Sequence, residues 1–172
     1  MRTRLFVRLA IAGIALVVLL IVRIIHPTRV TFSPANMSID PGKGWKELKT
    51  APVPPICSPS LLSKSGMINA VLLDEELTDV KAAATKLEGN LVAAGKAAEG
   101  AFKQEDFMTA SGLAGVHFSY SAKSAKSGAD LRSHHFITRN MHSRCVDVSY
   151  ITSPESESSE VIAAITKTLR VE

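Results

Sequence analysis

Hydrophobic and polar positions divide the chain into an apolar opening segment and a longer mixed region. No side chain is polar across residues 9–22, so a helix formed there would have no face suited to water. Arg8 and Arg23 flank this run, and their long side chains extend the usable apolar length to about 20 residues, as a membrane span requires. The pattern over residues 5–25 therefore predicts a transmembrane helix.

The residues after the apolar run distinguish an anchor from a cleaved signal peptide. Signal peptidase needs small residues there, whereas "VRIIHPTRVTF" is bulky and basic, which favours an uncleaved anchor. Three arginines precede the run and two follow it, so the positive-inside rule places the amino terminus in the cytoplasm. We expect residues 1–26 to form a cytoplasmic tip and signal anchor in the inner membrane. Residues 27–172 would form one extracytoplasmic, periplasmic domain.

Beyond the anchor, alternation with period two and turn residues predict strands on both sides of a helix. Short extended pieces are expected at residues 30–32, 37–39 and 45–48, separated by prolines and glycines. The continuous apolar run at residues 67–73 predicts a central strand buried on both sides. Farther along, alternation predicts an antiparallel meander whose apolar positions are Val116, Phe118, Tyr120, Val146, Val148 and Tyr150.

Two helices are predicted from a change of period. Apolar residues at three- and four-residue steps across residues 77–98 indicate an amphipathic helix. The acidic residues at 74–76 suit its positive amino-terminal end, and Gly100 is placed to end it. Near the end of the chain, Ser153 as N-cap and Pro154 at the first helical position predict a second helix. Its apolar stripe would contain Val161, Ile162, Ile165 and Leu169.

The net charge of +4 belongs to the anchor rather than to the domain. Four of the 20 Lys and Arg residues lie in the first 26 positions, and no acidic residue precedes Asp40, so the remainder balances the 16 Asp and Glu residues. A nearly neutral domain has no overall electrostatic footprint for nucleic acid or an anionic surface. The expected partners are therefore the membrane and an envelope protein, and nucleic acid is not among them.

Two cysteines, Cys57 and Cys145, lie in the region placed outside the cytoplasm, where thiols are usually oxidised. A disulfide between them would stabilise the fold by up to about 4 to 5 kcal/mol in the chain-entropy model. Alternatively, each could be a separate buried thiol that packs as a small hydrophobic residue. Both interpretations stay open at this stage, and the spacing does not predict a metal site.

Histidines on the meander are the one group of side chains that suggests a functional site. If the "SAKSAKSG" hairpin pairs Lys123 with Ala129, then His117 lies opposite His135, and the two imidazoles could bind one metal ion. His134 would point to the other face. A shift of one residue in the register would separate the pair. Solvent-facing histidines are the favoured alternative, so His117 and His135 are only candidate metal ligands.

Catalytic signatures are absent from the sequence. It contains no GxSxG elbow, phosphate-binding loop or HExxH motif. Asp147 could be combined with a serine into a triad, but in a serine-rich chain that coincidence carries no weight. We therefore predict no catalytic residue and no cofactor.

The order of elements resembles the α/β/α sandwich of the PsbP-like proteins, which include the extrinsic photosystem II subunit PsbP and bacterial DcrB-like envelope proteins. The segments that carry the resemblance are "MSIDPGKGWKEL", "MINAVLLDEELTDVKAAATKLEG", "SGLAGVHFSYS" and "VIAAITKTLRVE". The resemblance implies an α+β fold, with an amino-terminal transmembrane helix followed by an antiparallel sheet and two helices. It also implies a binding or assembly role without catalysis. The anchor departs from the family, whose members carry a lipoprotein cysteine or a cleaved targeting peptide.

These observations favour a membrane-anchored, non-enzymatic extracytoplasmic module that binds an envelope protein or supports assembly of an envelope complex. Tethering raises the local concentration of the domain near membrane partners, which benefits weak binding. The alternative is a sensor domain that binds a small ligand or metal at the sheet face near His117 and His135.

Overall fold

The computed structural model describes residues 29–48, 56–124 and 127–172, which contain ten strands and two α-helices. The first strands are β1 (Val30–Phe32), β2 (Met37–Ile39), β3 (Lys46–Leu48), β4 (Ser60–Ser63) and β5 (Gly66–Leu72). They are followed by α1 (Val80–Ala93), β6 (Lys103–Met108), β7 (Ala114–Lys123), β8 (Asp130–Arg139), β9 (Cys145–Thr152), a 3₁₀ turn (Pro154–Ser156), α2 (Ser159–Thr168) and β10 (Arg170–Val171).

Seven strands form one antiparallel sheet in the order β3-β4-β5-β9-β8-β7-β6. Strands β8 and β9 lie near its centre, and most of their side chains are buried on both faces. A small antiparallel sheet of order β1-β2-β10 joins the two ends of the described chain, because β2 pairs with both β1 and β10.

The two faces of the large sheet are covered differently. One face, called here the α1 face, packs Val116, Phe118 and Ile137 against helix α1. The opposite α2 face packs against both helix α2 and the small sheet, and these three elements share one hydrophobic core. Its fully buried large side chains include Phe32, Met37, Ile39, Leu61, Ile68, Phe136, Tyr150, Ile165 and Leu169.

For the described residues, the predicted fold, a transmembrane helix followed by a PsbP-like α/β/α sandwich, is wrong. The described residues contain no helix that is both long and apolar enough to cross a membrane, and residues 1–26 lie outside them. In addition, one outer layer is not purely helical, since β1, β2 and β10 cover much of the α2 face. The small sheet forms because β10 follows α2 directly and reaches back to β2. The described chain is a sheet-rich α+β fold.

The helices begin later than the sequence pattern predicted. Helix α1 starts at Val80 because Asp79 is its N-cap and accepts a hydrogen bond from the backbone N–H of Ala82. It ends at Ala93, before Gly95, whose φ of +66° is incompatible with helix. At the second predicted helix start, Pro154 begins only a short 3₁₀ turn. Helix α2 itself starts at Ser159.

Gly66, the first residue of β5, is required by both its backbone conformation and its surroundings. Its φ is +132°, and an added Cβ would collide with the backbone oxygen of Ile151. Gly66→Ala should therefore lower the free energy of unfolding by about 2 to 4 kcal/mol. Gly95→Ala is the matched control, because that glycine also has positive φ but no neighbouring atom within 4 Å, and should cost about 1 kcal/mol.

Urea unfolding followed by circular dichroism measures both losses. Equal destabilisation by the two substitutions would show that the close approach of β5 to β9 at Gly66 is not required.

Candidate functional site

The β7–β8 hairpin has a register one residue away from the predicted one. Lys123 pairs with Asp130 rather than with Ala129. The reason is the loop, where the N–H of Ser124 donates to the carbonyl of Ala129 over 2.8 Å and so keeps that residue inside the turn. His117 consequently pairs with Phe136. His117 and His135 therefore lie on opposite faces of the sheet and cannot bind the same metal ion.

The first histidine network lies on the α2 face. His117 Nε2 is 3.2 Å from His134 Nδ1, and His134 Nε2 is 2.8 Å from Glu157 Oε1. The Arg132 guanidinium lies 3.7 Å from the other oxygen of Glu157. The His117 ring also stacks on Phe136, with 4.5 Å between the ring centroids. The two imidazoles and the carboxylate thus form a continuous hydrogen-bonded chain from β7 to the segment before α2.

Both imidazoles of this chain are held in the neutral form. Burial, reinforced by the nearby His134, lowers the pKa of His117 to about 4. Burial also lowers the pKa of His134, although its hydrogen bond to Glu157 acts in the opposite direction. One arrangement of protons satisfies every contact: His117 Nε2–H donates to His134 Nδ1, and His134 Nε2–H donates to Glu157.

This arrangement leaves neither ring nitrogen of His134 available to bind a metal ion. The Nδ1 lone pair of His134 accepts from His117, and its Nε2 faces a carboxylate. Across the described residues no group of three or more His, Cys, Asp or Glu side chains has the geometry to hold a metal. The geometry does not favour the metal-sensor alternative.

The second network lies on the α1 face and has the hydrogen-bond order of a hydrolytic triad. Ser133 Oγ is 3.0 Å from His135 Nε2, and His135 Nδ1 is 2.8 Å from Asp147 Oδ2. The Tyr120 side chain lies beside Ser133 on the same face, because the two residues pair across β7 and β8. The rings of Phe118 and Tyr120 stack on the imidazole at centroid distances of 4.8 and 5.7 Å.

The position of this second network argues against nucleophilic catalysis. Ser133 is only 4% exposed and lies within β8, paired on both sides by β7 and β9. A catalytic serine needs an adjacent space for the acyl group and free donors for an oxyanion, which a central strand does not provide. The network instead fixes the imidazole between three strands. The second carboxylate oxygen of Asp147 has no hydrogen-bond partner in the described part of the chain.

Cys57 and Cys145 are both buried, and the structure does not join them by a disulfide. Cys57 belongs to the core on the α2 face, whereas Cys145 belongs to the cluster on the α1 face. Burial raises the pKa of both thiols, so neither is poised as a nucleophile.

An open cleft of about 650 Å³ lies between the start of α1 and strands β6 and β7. An exposed ion pair between Lys81 and Asp106, with a nitrogen–oxygen distance of 2.9 Å, spans it. The apolar side chains that line the cleft are Val80, Met108, Ala114 and Val116, and the remaining polar side chains are Thr78, Asp79 and Arg139. Phe107 borders the cleft through its backbone, since its ring packs against Phe136 on the α2 face. The cleft could not be predicted from the sequence, because its walls come from segments that are distant along the chain.

Comparison with known proteins shows a similarity of fold to one solved structure. No family model and no curated protein matches the chain. A crystal structure of a protein from Bacteroides thetaiotaomicron VPI-5482 is similar, with a TM-score of 0.57 and 12% sequence identity. The match covers 86% of this chain and 49% of that one, so this chain spans about half the length of its structural neighbour. The PsbP-like resemblance stays a sequence-based prediction.

The depressed pKa of His117 makes stability depend on pH. Between its unfolded pKa of about 6.5 and its folded pKa, the unfolded state binds more protons. The stabilisation due to His117 is therefore complete above pH 6.5 and decreases as the pH falls towards 4, by roughly 1 to 3 kcal/mol once screening by solvent is allowed for. His117→Gln keeps a donor for His134 but does not titrate, so its unfolding free energy should fall less over this pH interval.

Urea unfolding at several pH values from 4 to 7 measures this difference. The control is His142→Gln, which removes an exposed imidazole outside both networks and should follow the unmodified chain. Parallel pH curves for the His117 variant and the unmodified chain would contradict the assignment.

Proposed function

We propose that the chain is a membrane-anchored, non-enzymatic binding module that holds an extended segment of an envelope protein. The observation that carries this proposal is the cleft beside β6, because it combines apolar walls with the open edge of a sheet. We place the module on the outer side of the cytoplasmic membrane, as the arginine distribution around the apolar segment indicates.

Strand β6 supports the proposal through its backbone. It is the last strand of the large sheet, and over the described residues only β7 pairs with it. An edge strand presents unpaired N–H and C=O groups that can hydrogen-bond to an added strand. An extended segment bound there would place alternate side chains towards the cleft, near the exposed Met108.

The charges around this edge would select the segment. Lys103, Glu105 and Asp106 are exposed on β6, and such charges discourage indiscriminate pairing between sheet edges. The Lys81–Asp106 ion pair is also exposed at both ends, so a partner's charged groups could replace it at little cost. A segment with apolar residues for the cleft and charges complementary to the rim fits these features.

Anchoring supports a role in weak binding. A module held at the membrane meets membrane and envelope partners at a high effective concentration, so a modest affinity is sufficient. Burial of His134 and His135 within the sheet is consistent with a binding rather than a chemical role.

Site-specific photo-crosslinking in cells tests the proposal with a matched pair of positions. Met108 lies in the cleft and is 62% exposed, whereas Met141 lies outside it and is 60% exposed. A benzoylphenylalanine at position 108 of the full chain should capture one envelope protein, and at position 141 it should not. Mass spectrometry identifies the captured segment.

A synthetic peptide of that segment should bind the purified chain. Met108→Asp should weaken this binding about tenfold, while Met141→Asp should leave it unchanged. Equal capture at both positions, or a peptide whose affinity ignores Met108→Asp, would contradict binding in the cleft.

A further inference from the structure

A second cleft, of about 500 Å³, lies beside the opposite edge of the large sheet, at strands β3 and β4. It is lined by three lysines, Lys43, Lys46 and Lys64, together with Gly44, Leu62, Ser63 and Ser65. All three lysines are exposed.

The domain as a whole is nearly neutral, but the positive charge of this cleft is locally uncompensated. No acidic side chain lines it, and none of the three lysines forms an ion pair with another residue in the described ranges. Several ammonium groups around one concavity attract an anion, and the hydroxyls of Ser63 and Ser65 add hydrogen-bond donors. The chemistry of the cleft therefore fits a phosphate group.

Apolar side chains accompany the lysines on the same face. Lys46 pairs with Leu62 across β3 and β4, so both side chains point to one side of the sheet. Leu48, two residues beyond Lys46, points the same way, and both leucines are exposed. Exposed leucines beside lysines are typical of surfaces that lie at the boundary between lipid headgroups and acyl chains.

The connectivity keeps this surface within reach of the end of the domain where the chain enters it. Val30, the first residue of β1, is at most about 14 Å from His26, the end of the predicted anchor. Val30 pairs with Ile39, the last residue of β2. Lys43 follows four residues later, again at most about 14 Å away. These short segments limit how far Lys43 can lie from the predicted anchor, which allows the lysine cleft to reach the membrane.

We propose that Lys43, Lys46 and Lys64, together with Leu48 and Leu62, form a surface that contacts anionic phospholipid headgroups of the anchoring membrane. The proposal rests on the membrane anchoring in the proposed function and adds an orientation to it. With the β3 edge against the bilayer, the cleft at β6, on the other edge of the sheet, is directed away from the lipid and towards a partner.

The single tryptophan of the chain supplies the probe. Trp45 lies between Lys43 and Lys46 and packs edge-on against Tyr150, with 6.2 Å between ring centroids. The full chain is reconstituted into phosphatidylcholine vesicles with or without about one third phosphatidylglycerol, both containing a phosphatidylcholine with a nitroxide on its headgroup. Quenching of Trp45 should be roughly twofold greater with phosphatidylglycerol and should fall to the lower value in high salt.

Two triple variants separate this surface from general charge. Lys43→Gln, Lys46→Gln and Lys64→Gln together should abolish the extra quenching. The control, Lys96→Gln, Lys123→Gln and Lys167→Gln, changes the net charge equally at exposed lysines outside both clefts and should retain the extra quenching. Loss of the extra quenching in both triple variants, or in neither, would overturn the proposal.

A further arm distinguishes lipid from a soluble anion. If millimolar inorganic phosphate changed Trp45 fluorescence in phosphatidylcholine vesicles as strongly as phosphatidylglycerol does, the cleft would be a site for a soluble phosphate and the lipid proposal would fail. Failure here is distinct from failure of the proposed function. That function fails if the chain is not retained in cell membranes or if Met108 captures no partner, neither of which the vesicle experiment measures.

Discussion

The alignment of β8 between β7 and β9 is the constraint on which the rest of the structure depends. Because side chains alternate across a sheet, the adjacent His134 and His135 enter opposite faces. His134 meets Glu157 on one side, and His135 meets Asp147 on the other. Hydrophobicity alone does not fix the pairing register of a strand that is buried on both faces, since apolar residues suit either side. The polar pairs remove this ambiguity, because a slip of one residue would bury each histidine without its carboxylate.

Local signals were sufficient to predict most elements. The expected strands at residues 30–32 and 37–39 agree with β1 and β2, and residues 67–73 nearly coincide with β5, an interior strand. These segments are short and bounded by prolines, glycines or polar turns, so their limits are visible in the sequence. The start of α1 was less visible, because three acidic residues precede the residue that actually caps it.

The candidate site could not be predicted in the same way, since it depends on pairing between strands. Asp147 was named from the sequence as a possible triad acid, but the combination carried no weight because nothing in the sequence shows which serine or histidine lies beside it. Once β8 and β9 are paired, however, Asp147 lies opposite Ile137, diagonal to His135, and Ser133 is two residues away on the same face. The predicted meeting of His117 with His135 failed for the same reason, because one hydrogen bond in the hairpin loop shifts the register. The contact of Glu157 with His134 was even less predictable, because Glu157 lies in the turn before α2 and not on a strand.

The small sheet has a consequence for the order of folding. Strand β2 pairs with β1, its neighbour in the sequence, and with β10, which is separated from it by nearly the whole domain. Contacts of such long sequence separation form late, because the loop they close is large. Until β10 and α2 are in place, Phe32, Met37 and Ile39 are without part of their core. During synthesis, the chain therefore exposes the hydrophobic residues of β1 and β2 until its carboxyl-terminal part is made. A chaperone that shields β1 and β2 would favour correct folding over aggregation.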